Sequence, residues 1–291
     1  MFTRVLAVLV VGTALNREVS AREDGVTLTV VPSSTNILVD DPVVFKGVLK
    51  HGGKPRLLML RSFETFTGGV RIEVCPPDSK EFAKVSALGD GLFCGICKSW
   101  YLEPGSTMAC YFELFRAPVQ GMEVQAFSYP GKWRVRIYTL TEGEDPISEA
   151  VTILVTPRPK REQEALLEAE VPIHFCLRYR GSEESDQLVK ALKYRDILAP
   201  SAASRAITQA EVLRALQGAS AARARTFALA EVKKHRDQLS PVEREFFDLE
   251  TAEIHFQRKE FADAKRLLDA IPEASYRRNN LLARVRIETE K

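Results

Sequence analysis

Two prolines, Pro157 and Pro159, separate halves of this chain that follow different periodicities. Each removes a backbone N–H and fixes φ, so Thr156-Pro157-Arg158-Pro159-Lys160 cannot continue a sheet and begins extended chain. Before it, short segments alternate apolar and polar residues. After it, Ala, Leu, Glu, Arg and Gln dominate, all strong helix formers. The expected layout is an all-β domain over 22–156, a linker over 157–160 and an α-helical domain over 161–291. A chain of 291 residues with 45% hydrophobic side chains has room for a core in each half.

The first 21 residues form a third texture. Arg4 precedes an apolar run from Val5 to Leu15, and Val19-Ser20-Ala21 offers small residues for cleavage. That is the layout of a secretory signal peptide over 1–21, too short to span a bilayer. The expectation is export to the periplasm or the extracellular space, with no membrane insertion after cleavage.

The clearest strand lies at Ser128-Tyr129-Pro130-Gly131-Lys132-Trp133-Arg134-Val135-Arg136-Ile137-Tyr138. A Pro-Gly turn leads into alternation with Trp133, Val135 and Ile137 on one face and Arg134, Arg136 and Tyr138 on the other. Further strands are expected at Val26–Val31, Val43–Leu49, Leu57–Leu60, Val70–Val74, Met108–Phe115 and Ile147–Val155, each bounded by Pro, Gly, Asp or Ser. Short strands at this spacing, without helices between them, point to an antiparallel sandwich. The succession Asp41-Pro42-Val43-Val44-Phe45, Leu102-Glu103-Pro104-Gly105-Ser106, Tyr129 to Arg136 and Ala150 to Val155 resembles an immunoglobulin-like domain of exported proteins. In such domains a Gly-aromatic pair opens a late strand, and Trp133 matches that position; the resemblance departs from antibody-type domains in lacking a Cys…Trp…Cys framework. From its place in the alternating strand, Trp133 is expected to anchor the core.

The chain has five cysteines. Cys75, Cys94, Cys97 and Cys110 fall in the β half and Cys176 in the helical half, an odd count for an exported protein. Three chemistries fit the four-cysteine cluster. Disulfides, or inert thiols, would tie down the long loop holding Cys94 and Cys97. Four thiolates could bind zinc, although a single C-x-x-C is a weak signal. Phe93-Cys94-Gly95-Ile96-Cys97-Lys98 resembles a thioredoxin hexapeptide. It lacks the middle proline, and no helix is expected where one must lower the thiol pKa.

In the helical half, helices are expected at Arg161–Ala169, Ser185–Leu198, Ser201–Gln217 and Ser220–His235. The best start is Ser240-Pro241-Val242-Glu243, with a capping serine, proline at the first position and a Glu that closes a capping box. The helix from there and the one opening at Phe261 resemble a tetratricopeptide repeat. Ala252 matches the small residue where the paired helices cross, Phe261 the aromatic opening the second helix, Ala264 its small packing residue and Leu268 the following large one. Lys259 stands where that motif has glycine, and Asp248 where it has a large apolar residue. The resemblance implies a stack of helical hairpins, capped by a helix around Tyr276–Thr289, whose concave face holds a peptide.

Chemistry is harder to find. The four histidines, His51, His174, His235 and His255, form no metal-binding pair. No nucleotide loop or nucleophile elbow occurs. A net charge of +2, with acids and bases balanced in each half, gives no basic stripe for nucleic acid. The expectation is a non-catalytic, cofactor-free binding or scaffolding protein whose partner is another exported or envelope protein, or a peptide segment. Two alternatives remain: a thiol-disulfide or zinc protein using Cys94 and Cys97, and a carbohydrate-binding sandwich using Trp100 and Tyr101.

Overall fold

A computed structural model describes residues 25–39, 41, 43–52, 58–60, 69–85, 100–114, 126–139, 146–161 and 236–290. Residues 1–21, the loop with Cys94 and Cys97, Cys176, His174, His235 and, apart from Arg161, the four helices expected before Ser240 lie outside the described residues. Ten strands are described: β1 (Val26–Pro32), β2 (Asn36–Leu38), β3 (Val43–His51), β4 (Leu58–Leu60), β5 (Val70–Cys75), β6 (Ala83–Val85), β7 (Trp100–Leu102), β8 (Thr107–Leu114), β9 (Gly131–Thr139) and β10 (Val151–Thr156). They form a three-stranded sheet in the order β1-β3-β8, a five-stranded sheet in the order β2-β10-β9-β5-β6, and a two-stranded pair β4-β7.

The two larger sheets enclose one apolar core. Leu28, Phe45 and Phe112 enter it from one side, and Ile72, Trp133, Val135 and Ile153 from the other. The alternation in β9 is reproduced, with Trp133, Val135, Ile137 and Thr139 all buried. Trp133 sits at the centre, donating its indole N–H to the Tyr129 carbonyl at 3.0 Å and meeting Phe127 edge-on at 5.8 Å. The turn over it is tight. Gly131 has φ 139, and a Cβ there would lie 2.5 Å from Pro77. Phe127 holds φ 59, a conformation that costs a non-glycine residue about 1–2 kcal/mol. Its ring, buried between Phe45 and Trp133, offsets that.

The expectation of a purely antiparallel sandwich needs correcting at one edge. β2 pairs parallel with β10, Ile37 opposite Val155, so the five-stranded sheet is mixed and the first segment of the chain is divided between both sheets. The expected linker is also partly anchored. Arg158 is buried, donates to the Val39 carbonyl at 2.9 Å and pairs with Asp41.

Among the described residues beyond the sheets, three α-helices are present: α1 (Pro241–Gln257), α2 (Phe261–Asp269) and α3 (Tyr276–Thr289). The capping box at Ser240 forms as expected, Glu243 reaching back to the Ser240 N–H at 2.8 Å. The helices pack on the outer face of the three-stranded sheet, where Val44, Ala109 and Tyr111 join Phe246, Leu249 and Leu281 in a second apolar cluster. Covered on both faces, β3 is buried at nearly every position. The free edge of β8 is closed by Ala274, which accepts from the Ala109 N–H at 2.7 Å.

Candidate functional site

Of the four cysteines of the β half, Cys75 and Cys110 are among the described residues, and these two do not meet. Cys110 lies in β8 facing the core between the sheets, whereas Cys75 ends β5 on the outer face of the other sheet, in register with Arg134. A sheet separates the two side chains, so they are not bridged to each other. The Cys75 thiol donates to the Ser79 carbonyl at 3.2 Å and accepts from Arg134 Nη2 at 2.9 Å. Among the described residues, no three His, Cys, Asp or Glu side chains assemble as metal ligands. Trp100 and Tyr101 fall in β7, and their side chains lie outside what is described.

The residues expected to pack the helical hairpin do come together. Ala252, Ala264 and Leu268 are fully buried in one cluster, with Phe261 at its margin, and Phe261 meets Phe256 at 5.6 Å. The two departures from the repeat pattern have local explanations. Lys259 takes φ 62, the left-handed turn glycine would favour. The Lys259 N–H bonds the Phe256 carbonyl and the Glu260 N–H the His255 carbonyl, both at 2.9 Å, which closes α1 in a Schellman turn. Replacing Lys259 by glycine should raise stability by about 0.5–1 kcal/mol, the released left-handed strain less the freedom glycine gains when unfolded. A rise in the urea midpoint at unchanged slope checks this. Asp248, in turn, is buried and grips the Arg236 guanidinium at 2.8 and 2.9 Å. Burial pushes its carboxyl up, and Arg236 pulls the other way.

A polar cluster ties the helices to the sheet. Lys46 of β3, buried, donates to Glu245 of α1 at 2.6 Å and to Glu273, just before α3, at 2.8 Å. Tyr111 of β8 donates to the same Glu245 at 2.5 Å. Burial, and then this hydrogen bond, push the Tyr111 phenol well above its usual range.

The outer face of the five-stranded sheet has a different character. Along β9, Lys132, Arg134, Arg136 and Tyr138 project outward; across from them stand Arg71 and Glu73 of β5, with Lys84 of β6 beyond Glu73. The Phe82 ring underlies Arg136 at 4.0 Å and Arg134 at 5.1 Å, while Arg136 pairs with Glu73 at 2.6 Å. Ile147 beside Tyr138 and Leu154 beside Lys132 are 53% and 39% exposed. At the turn end, Tyr129 donates to Asp78 at 2.6 Å, and partial burial together with that carboxylate raises its phenol to about 12. Sequence reasoning marked the outward residues of β9 but not this face, because β5 and β6 join it only through strand pairing. No described helix is long and apolar enough to cross a membrane.

No family model and no curated protein matches the chain. Among solved structures it is similar to the sporulation control protein Spo0M from Bacillus subtilis, with 13% identity over 50% of this chain and 54% of that one, at a TM-score of 0.29. A β-glucosidase from Listeria innocua is similar at 14% identity over 45% of this chain and 16% of that one, TM-score 0.23. The native α-2-macroglobulin of E. coli is similar at 12% identity over 90% of this chain and 22% of that one, TM-score 0.28. The chain thus spans about half the length of Spo0M and less of the other two. Likenesses this distant give no functional assignment.

Proposed function

We propose that the protein is an exported, non-catalytic binding protein that engages another exported or envelope protein, or a peptide segment of one. The observation that carries this reading is the unequal treatment of the two outer sheet faces. Helices cover one, while the other keeps Ile147 and Leu154 in solvent beside a row of cationic side chains. Large apolar side chains framing a charged face are a common make-up for a docking surface.

The two-domain architecture of the proposal draws on local geometry. The order β1-β3-β8 against β2-β10-β9-β5-β6, with the first segment shared between sheets, supports an immunoglobulin-like sandwich. The buried alanines at 252 and 264 and the left-handed turn at Lys259 support a tetratricopeptide-like hairpin. We infer the sheet face, rather than the described helices α1–α3, as the partner site. α1 and α3 already pack against β3 and β8, and the exposed positions of α3 are polar apart from Ala283 and Ile287. Export rests on the leader-like residues 1–21.

Affinity capture from native extract tests the reading, with the wild-type chain and an Ile147→Arg/Leu154→Arg variant as baits. A partner held by the first and released by the second supports it. One held equally by both moves the interface elsewhere, and capture of nothing by either counts against a binding role.

A further inference from the structure

We propose that the outer face of the five-stranded sheet receives an acidic, extended polypeptide segment of the partner. This rests on the binding role above and adds the chemistry of the occupant. The charged outward positions of β5, β6 and β9 are Arg71, Lys84, Lys132, Arg134 and Arg136 against the lone acid Glu73. The whole chain carries only +2, so this excess is local. Glu73 is already engaged by Arg136 at 2.6 Å. Arg134 gives Nη2 to the Cys75 sulfur at 2.9 Å and to the Lys80 carbonyl at 3.5 Å, and meets no carboxylate among the described residues. Lys84 and Lys132 are exposed and meet none there either.

Geometry points to a strand-like occupant. Lys132, Arg134 and Arg136 recur at every second residue of one strand, roughly 7 Å apart. An extended chain repeats with the same pitch, so carboxylates at alternate positions fall opposite successive cations. Two of those cations are guanidiniums steadied on Phe82, and a guanidinium fork matches a carboxylate in two parallel hydrogen bonds. Leu154 beside Lys132 and Ile147 beside Tyr138 close the two ends of the row. A segment of about six residues would span it. Those apolar ends give a polypeptide contacts that a sulfated glycan or nucleic acid would leave unused.

The test is fluorescence anisotropy on the full chain, using a labelled nonapeptide in which Glu alternates with Thr between two terminal leucines. Expected results are saturable binding, a loss of roughly tenfold or more when Gln replaces Glu, and weakening as salt rises from about 50 to about 200 mM. Lys84→Glu/Lys132→Glu should cost at least roughly tenfold while thermal melting stays unchanged, both side chains being exposed. Absence of binding, equal binding of the Gln peptide, indifference to the double variant, or tighter binding of a heparin octasaccharide overturns the proposal. If the nonapeptide fails but Ile147→Arg/Leu154→Arg still releases a captured partner, the acidic occupant falls and the binding role stands.

Discussion

Replacing Trp133 by alanine is expected to lower the unfolding free energy by about 3–5 kcal/mol. The indole is fully buried, so truncation forfeits its transfer energy and leaves a cavity walled by Phe127 and Tyr129, 5.8 and 5.0 Å away between ring centres. It also orphans the Tyr129 carbonyl, which accepts from the indole N–H at 3.0 Å. A second consequence lies in the turn. Phe127 keeps its left-handed backbone because its ring is held between Phe45 and Trp133. Without the indole, the strain at Phe127 is no longer offset, and the turn 126–130 should lose order with the core. Trp133→Phe separates the contributions, since it keeps most of the volume and removes the hydrogen bond. Its loss should be roughly 1–2 kcal/mol. Equilibrium urea unfolding measures both variants, and a Trp133→Ala loss below about 1 kcal/mol would show that the sandwich is not centred on this residue.

Replacing Lys46 by alanine is expected to cost about 3 kcal/mol. The ammonium is the only cation facing Glu245 and Glu273 in the described interface, and Tyr111 leans on the same Glu245. Its removal leaves two carboxylates side by side against a buried phenol. The value stays at the lower end for a broken buried pair because Glu273 retains contact with water. Hydrogen exchange distinguishes this loss from a general one. Amides of α1, α3 and the Ala109–Ala274 bridge should exchange faster, while those of β5 and β9 keep their protection. A Lys46→Met/Glu245→Gln chain should recover part of the loss, since no buried charge then lacks its counterion at α1. Uniform acceleration across both sheets would show that the cluster does not specifically hold the helices in place.

Some of this was legible in the residues and some was not, for physical reasons. Alternation marked β9 because one face is buried and the other solvated. Ser240-Pro241-Val242-Glu243 fixed the start of α1 because its cap is made from its own neighbours. Lys259 could be placed at an inter-helix turn from the hairpin pattern, although its left-handed φ breaks the usual glycine preference. β2 left no trace, since three residues carry no period and its partner lies more than a hundred positions away. Likewise nothing in the pattern of Val43–Leu49 singles out Lys46, which is buried by the helices packed on β3. Asp248 ran against the repeat pattern until Arg236 was brought beside it. The candidate face of the five-stranded sheet was half visible: Arg134 and Arg136 pointed outward from the pattern of β9, but Arg71, Glu73 and Lys84 joined them only through register.

The parallel pairing of β2 with β10 sets how the sheet region responds to force. Once β1 has been drawn off β3, a pull on the two flanks drives β2 toward its N-terminal end and β10 toward its C-terminal end, along one axis in opposite directions. The ladder from Asn36–Leu154 to Leu38–Thr156 is therefore loaded in shear, with its hydrogen bonds strained together instead of opening one by one. The Thr156 hydroxyl on the Ile37 carbonyl and Arg158 on Val39 and Asp41 extend the grip past the last strand pair. The sheet region thus carries a mechanical clasp between β2 and its last strand, β10, which resists tension in shear after β1 has been drawn off β3.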